Sequence, residues 1–300
     1  MGTPEFAVPA LVKLLENNFN VVAVITAPDK PKGRGQKLAT TPVKDCAVQN
    51  NIPVLQPANL KDPEFLKVLA SYKANLQIVV AFRMLPEVVW NMPEIGTFNL
   101  HASLLPQYRG AAPINWAIIN GEQETGVTTF FLKHEIDTGD IIYQEKEPIS
   151  VEDDAGTLYE RLMNKGASLV VKTVNSIASG DYTPISQNFT KEDINLAPKI
   201  FKETCEIDWD KNSIETLNFI RGLSPYPAAW TTLDNKILKI YKAATTNKVA
   251  NFLKPGEYKT DNKTFWDFRT KDGMISIKEL QLEGKRKMTI EDFLRGNKLF

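Results

Sequence analysis

The chain has 300 residues, 36 Lys+Arg against 36 Asp+Glu, 43% hydrophobic residues and 24% charged residues. That length suits two domains, and that balance is the one expected of a globular chain in water. No apolar run reaches the roughly 18 residues a membrane helix needs, and two isolated cysteines, Cys46 and Cys205, exclude a disulfide framework or a cysteine-based zinc site.

The opening MGTPEFAVPALVKLL lacks a basic leader ahead of an apolar stretch, and with the unpaired cysteines it predicts a cytoplasmic protein. Helical patterns follow over residues 7–17, 42–50 and 63–72. Between them lie short β-branched runs, NVVAVITAP (20–28), IPVLQ (52–56) and NLQIVVAF (75–82). Strands separated by helices predict a Rossmann-like, doubly wound, mostly parallel α/β sheet. IGTFNLH reads as a further strand, PINWAIIN as a helix, GVTTFFL and DIIYQEKEPI as two strands, and residues 155–180 as a long helix.

After Gly180 the chain turns polar and loses its period. Residues 188–204 are assigned as a linker, 1–187 as the first domain and 205–300 as a second. The second holds one helical pattern, NSIETLNFIRGL, then AAWTTL, KILKIYKAA, TFWDFRT and GMISIKELQL. Short alternating strands with frequent turns predict a small OB-like β-barrel. From Thr204 to Phe300 there are 17 Lys+Arg against 13 Asp+Glu, a weak pointer to a polyanionic partner.

Chemistry concentrates in NLHASLLPQYRG (99–110), which holds one of only two histidines. On a strand, residues two apart share a face, so Asn99 and His101 project together while Leu100 packs the other way. Ligands bind beyond the carboxyl ends of such strands. There an amide could donate to a developing oxyanion and an imidazole could move a proton; equally, the pair could satisfy loop carbonyls. EIDTGDI (135–141) offers Asp137 or Asp140 as a carboxylate to orient the ring, and His134 reads as an exposed residue. A Gly-x-Ser-x-Gly elbow, a Walker sequence and a complete dinucleotide fingerprint are all missing. That disfavours an acyl-enzyme and a nicotinamide oxidoreductase.

GTPEFAVPAL, PDKPKGRGQKL, NLHASLLPQYRGAAPINWAI, IDTGDI and APKIFKETCEIDW together resemble the methionyl-tRNA formyltransferase family over nearly the whole chain. The resemblance implies catalytic roles for Asn99, His101 and Asp137. It implies a folate site around Ser103, Leu104, Leu105 and Pro106, bordered by Phe82 and Asp140. The co-substrate would be 10-formyltetrahydrofolate, with no metal, and the acceptor initiator methionyl-tRNA, bound by a monomer. From the residues alone the loop holding Arg34, Lys30, Lys32 and Lys37 reads as a solvated surface turn; the resemblance instead implies that it meets the tRNA acceptor end. Arg83 departs from the glycine of many relatives. The runners-up are a formyltransferase for an amino sugar or purine precursor, and a non-catalytic RNA-binding protein.

In relatives a short strand precedes Gly-Thr-Pro, whereas here only Met1 does. The expectation is a sheet whose first strand is missing, with Met1 an internal methionine read as a start. Adding about seven to ten upstream residues should then raise the melting temperature and the folate affinity, as measured by thermal melts with and without a folate ligand.

Overall fold

The computed structural model describes residues 1–32, 37–135, 137–187, 194–248, 250 and 252–299. In chain order the elements begin with α1 (Val8–Glu16), β1 (Val24–Ile25), β2 (Lys30–Lys32), β3 (Lys37–Ala39), α2 (Pro42–Gln49), β4 (Val54–Leu55), α3 (Pro63–Ser71), β5 (Leu76–Val80) and α4 (Glu87–Trp90). Next come β6 (Gly96–His101), β7 (Arg109–Gly110), α5 (Pro113–Ile119), β8 (Glu124–Phe131), β9 (Ile141–Pro148) and α6 (Ala155–Ser179). Then follow β10 (Leu196–Ala197), α7 (Ser213–Leu223), β11 (Ala229–Leu233), β12 (Lys236–Thr246), β13 (Tyr258–Thr260), β14 (Trp266–Arg269), β15 (Met274–Leu282), β16 (Met288–Thr289) and α8 (Ile290–Gly296).

These form two compact units. One is Met1–Gly110, Gly126–Glu147 and Tyr159–Asn195; the other is Ala111–Thr125, Pro148–Leu158 and Leu196–Phe300.

Local chemistry starts the helices where the sequence places them. Thr41 caps α2 by accepting from the Lys44 N–H, and Asp62 caps α3 by accepting from the N–H groups of Glu64 and Phe65. Each helix then opens on a proline, whose missing N–H costs nothing at that position. Asn212 and Glu215 form a reciprocal capping box on α7.

In the first unit β1 pairs in parallel with β4, and β5 with β6. The sheet continues from β6 to β8 and β9. It is mixed, because β8 runs antiparallel to β6. The run 20–28 shortens to a two-residue strand, since only Val24 and Ile25 lie opposite β4. Between β1 and β5 sit Met1 and Gly2: the Gly2 N–H donates to Ile25, and the Val80 N–H donates to the Met1 carbonyl. A side chain at Gly2 would lie 2.5 Å from the Ala7 Cβ and 3.0 Å from the Val80 carbonyl, so the close approach requires glycine there. Burial pushes the Met1 ammonium down to about 5.

One face of β6 is covered by α6. A Cβ on Gly166 would come 2.7 Å from Leu100, and Thr129 of β8 shares a hydrogen bond with Thr173 of the helix. The small residue lets the helix close on the face of the sheet opposite Asn99. A separate cluster of Ile25, Leu60, Phe65, Leu69, Val79, Leu85 and Val89 packs under β1 and β5.

The second unit is a curled antiparallel sheet in the order β11-β12-β15-β14-β13, with β16 against β15, consistent with an OB-like half-barrel. Its core centres on Trp266, which is fully buried, stacks with Phe293 at 5.6 Å and tilts against Phe268 at 5.0 Å. The Trp266 indole N–H has no partner among the described residues.

Trp266→Ala is therefore expected to cost about 3–5 kcal/mol. Trp266→Phe should cost far less, because no hydrogen bond is lost with the indole. Denaturant unfolding of both variants measures the contrast.

Candidate active site

The site is built at the carboxyl ends of β5 and β6. Asn99 lies opposite Phe130 and His101 opposite Thr128 on β8, so these four side chains share one face. His101 is 6% exposed, and its Nε2 lies 2.9 Å from the Tyr108 carbonyl oxygen. A carbonyl can only accept, so Nε2 carries the proton and Nδ1 is the opposite edge.

Nδ1 faces Asp137, whose Oδ2 is 3.9 Å away. That is longer than a hydrogen bond but within ion-pair range, so the carboxylate supports positive charge on the ring. Asp137 Oδ2 also accepts from the Gly110 N–H at 3.1 Å. The backbone of Asp137 is left-handed, at φ +55°. The rival carboxylate, Asp140, is turned elsewhere: it accepts from Lys133 Nζ and from the Ser186 hydroxyl, each at 2.9 Å. The hydrogen bond from Lys133 holds its carboxyl below the usual range. His134 is exposed and meets Glu87 at 3.4 Å.

The turn after β6 is held from inside. The Ser103 hydroxyl donates to the Gln107 carbonyl at 2.6 Å, so it serves the turn itself. The Thr128 hydroxyl donates to the Ser103 carbonyl and accepts from the Leu105 N–H and from Gln144. Leu105 packs with Phe130 and Ile141, while Leu104 and Pro106 are half-buried. Phe82 is half-buried after β5. Arg83 lies over the Phe82 ring and donates to the Pro57 and Ala58 carbonyls, bracing the turn after β4.

Of the basic loop, Lys30 is exposed, and β2 and β3 pair from Lys30–Ala39 to Lys32–Lys37. Arg34 and the side chains of Lys32 and Lys37 lie outside the described residues.

Sequence reasoning missed the Tyr108 carbonyl, Thr128, Arg109 and Gln187. The Arg109 guanidinium donates to Gln187 Oε1 at 2.6 Å. Burial pushes its pKa down, and Asp137 and Glu135 pull it back up. No spacing rule points to a backbone carbonyl or to a glutamine in an aperiodic segment.

The imidazole at the end of β6 thus faces the carboxylate of the 137 loop, with Asn99 on the same strand face. A family model described as formyl transferase matches residues 1–174, and one described as formyl transferase, C-terminal domain, matches residues 199–298. Methionyl-tRNA formyltransferases of Azobacteroides pseudotrichonymphae and Parabacteroides distasonis are 55% and 56% identical to this chain, each covering 99% of it and 94% of the relative. The chain belongs to the methionyl-tRNA formyltransferase family.

Solved structures share its fold. WlaRD, a sugar 3N-formyl transferase studied with dTDP and 5-N-formyl-THF, aligns at TM-score 0.67 and 24% identity, covering 95% of this chain and 97% of that one. An N-formyltransferase from Helicobacter canadensis, in complex with folinic acid and dTDP-3-aminofucose, aligns at TM-score 0.67 and 23% identity, covering 96% and 97%.

Thr128→Val keeps the shape of the buried side chain but leaves the Ser103 carbonyl and the Leu105 N–H without their partner. The expected cost is about 1–3 kcal/mol. Thermal melting checks the effect.

Proposed function

We propose that this chain transfers the formyl group of 10-formyltetrahydrofolate to the α-amino group of methionine on initiator tRNA. The observation that carries the reading is the convergence of Asn99, His101 and Asp137 at the carboxyl end of β6, with Nδ1 of the ring facing the carboxylate. The relatives' name supports the acceptor.

The residues present suit a folate. Phe82, Leu104 and Pro106 are half-buried apolar groups on the segments that follow β5 and β6, the kind of residue on which an aromatic ring system can rest. When bound there, the folate supplies the formyl carbon. Everything else is the work of this chain.

An α-amino group titrates near 7.7–8.0, so a neutral fraction exists at pH 7 without a strong base. What remains is orientation and charge stabilisation. As the amine nitrogen bonds to the formyl carbon, the Asn99 amide and the His101 N–H donate to the formyl oxygen, which gains negative charge; the bond from that carbon to N10 of the folate then breaks, and the proton lost by the amine balances the one gained by N10 of the departing tetrahydrofolate. For His101 this exchanges the Tyr108 carbonyl for a charged, stronger acceptor. Asp137 supports the imidazolium and fixes its orientation.

The same reading assigns Ser103–Pro106, Phe82 and Asp140 to the folate side, with the Asp140 carboxylate acting through Lys133 and Ser186. Arg34, Lys30, Lys32 and Lys37 are assigned to the acceptor end of the tRNA. Residues 1–187 carry the catalysis, 188–204 connect, and 205–300 supply a basic surface whose grip on phosphates weakens as salt rises. The protein acts as a monomer in the cytoplasm.

The test is formylation of charged initiator tRNA with 10-formyltetrahydrofolate under single-turnover conditions. Asn99→Ala, His101→Ala and Asp137→Ala should each lower the rate about 10²–10³-fold with little change in substrate binding. In the same assay Arg34→Ala should slow formylation while leaving folate affinity intact. Near-normal turnover in any of the first three removes that residue from the catalytic set. A matching loss of folate affinity in the fourth moves the basic loop to the wrong substrate.

A further inference from the structure

The Asp137 loop is an unlikely object to stand by itself. Its central residue is a non-glycine in the left-handed region, a conformation that persists only when the surroundings impose it. The loop also closes tightly on the end of β8: a Cβ on Gly139 would lie 1.5 Å from the Phe131 carbonyl oxygen. Something must hold the loop's own carbonyls.

That something is one side chain. Gln187 Nε2 donates to the Asp137 carbonyl at 3.0 Å and to the Gly139 carbonyl at 2.7 Å. Its Oε1 accepts from Arg109 at 2.6 Å. The backbone leading to Gln187 is itself anchored. Ile185 and Ile141 exchange both hydrogen bonds at 2.8 Å, and the Ser186 hydroxyl reaches Asp140. Gln187 therefore arrives from a fixed direction.

A primary amide meets this demand and its neighbours in chemistry do not. It offers two N–H donors for two carbonyls and one oxygen for a guanidinium. Glutamate has the oxygen but no donor; lysine and arginine have donors but nothing for Arg109. Arg109 immediately precedes Gly110, whose N–H donates to the Asp137 carboxylate, so the clamp grips the loop by its backbone on one side and by its carboxylate on the other.

We propose that Gln187 is a positioning residue that sets the Asp137 loop against His101. The proposal rests on the formyl-transfer reading of Asp137. Gln187 touches no substrate; it acts through the placement of a carboxylate, and misplacement of a reacting group by about 1 Å costs on the order of 10²-fold.

The experiment is a double-substitution cycle in the single-turnover formylation assay, with 10-formyltetrahydrofolate and charged initiator tRNA, using the full chain. Gln187→Ala and Gln187→Glu should each lower the rate about 10–100-fold at saturating substrates. KM for either substrate and the melting temperature should stay near those of the unaltered protein. Gln187→Glu is close in shape and can still pair with Arg109, so its loss isolates the two N–H donors. In an Asp137→Ala background, Gln187→Ala should change nothing further, because the group it positions is gone. A general packing defect would instead multiply with the loss from Asp137→Ala.

The proposal is overturned by full activity in either Gln187 variant, or by independent, multiplying effects in the cycle. If Gln187→Ala melts below the assay temperature, Gln187→Glu decides. A different result sinks the underlying reading: an Asp137→Ala protein as fast as the unaltered one leaves no role for Asp137, and the positioning claim falls with it.

Discussion

The hydrogen bond from His101 Nε2 to the Tyr108 carbonyl is the constraint on which the site depends. It settles which ring nitrogen carries the proton, and so which edge meets Asp137. It can form only because the chain doubles back within seven residues of the end of β6, through a backbone at Tyr108 that is left-handed, at φ +59°. Two supports keep that turn in place. From beneath, Thr128 satisfies the Ser103 carbonyl and the Leu105 N–H. From the far side, the Tyr108 N–H donates to the Asn195 carbonyl at 2.6 Å, and Gln107 Oε1 accepts from the Asn195 N–H at 2.8 Å.

The stretch after α6 thus braces the surroundings of both His101 and Asp137. Gln187 holds the loop of Asp137, and Asn195 holds the turn whose carbonyl accepts from the imidazole N–H. These hydrogen bonds join three chain segments that are far apart in sequence. Preorganisation of that sort suits a reaction in which no covalent enzyme intermediate shares the load and the gain comes from orientation and electrostatics.

The two units solve different packing problems. In the first, the Asn99 face of β6 must stay available, so α6 covers the other face and comes close through Gly166. In the second, the sheet curls over a core of Trp266, Phe268 and Phe293. On β12 the fully buried Leu238 and Ile240 are flanked by the exposed Lys236 and Lys242, with the half-buried Lys239 between them.

Much of this was legible in the residues alone. Period-two alternation put Asn99 and His101 on one face; capping residues and prolines marked the starts of α2 and α3; short alternating runs announced the second sheet. These are local properties, set by backbone geometry within a few residues. The direction of β8 was not legible, because a strand's pattern is the same read in either sense. Spacing alone leaves Asp137 and Asp140, three residues apart in one loop, both open; the resemblance points to Asp137, and in the fold Lys133 and Ser186 draw the Asp140 carboxylate away. The sequence by itself determined most of the longer elements, the shared face of Asn99 and His101, and the family. Only the tertiary structure decided which nitrogen of His101 faces which carboxylate, and brought Gln187 to that loop, because hydrogen bonds between residues about 50 to 80 positions apart follow no local period.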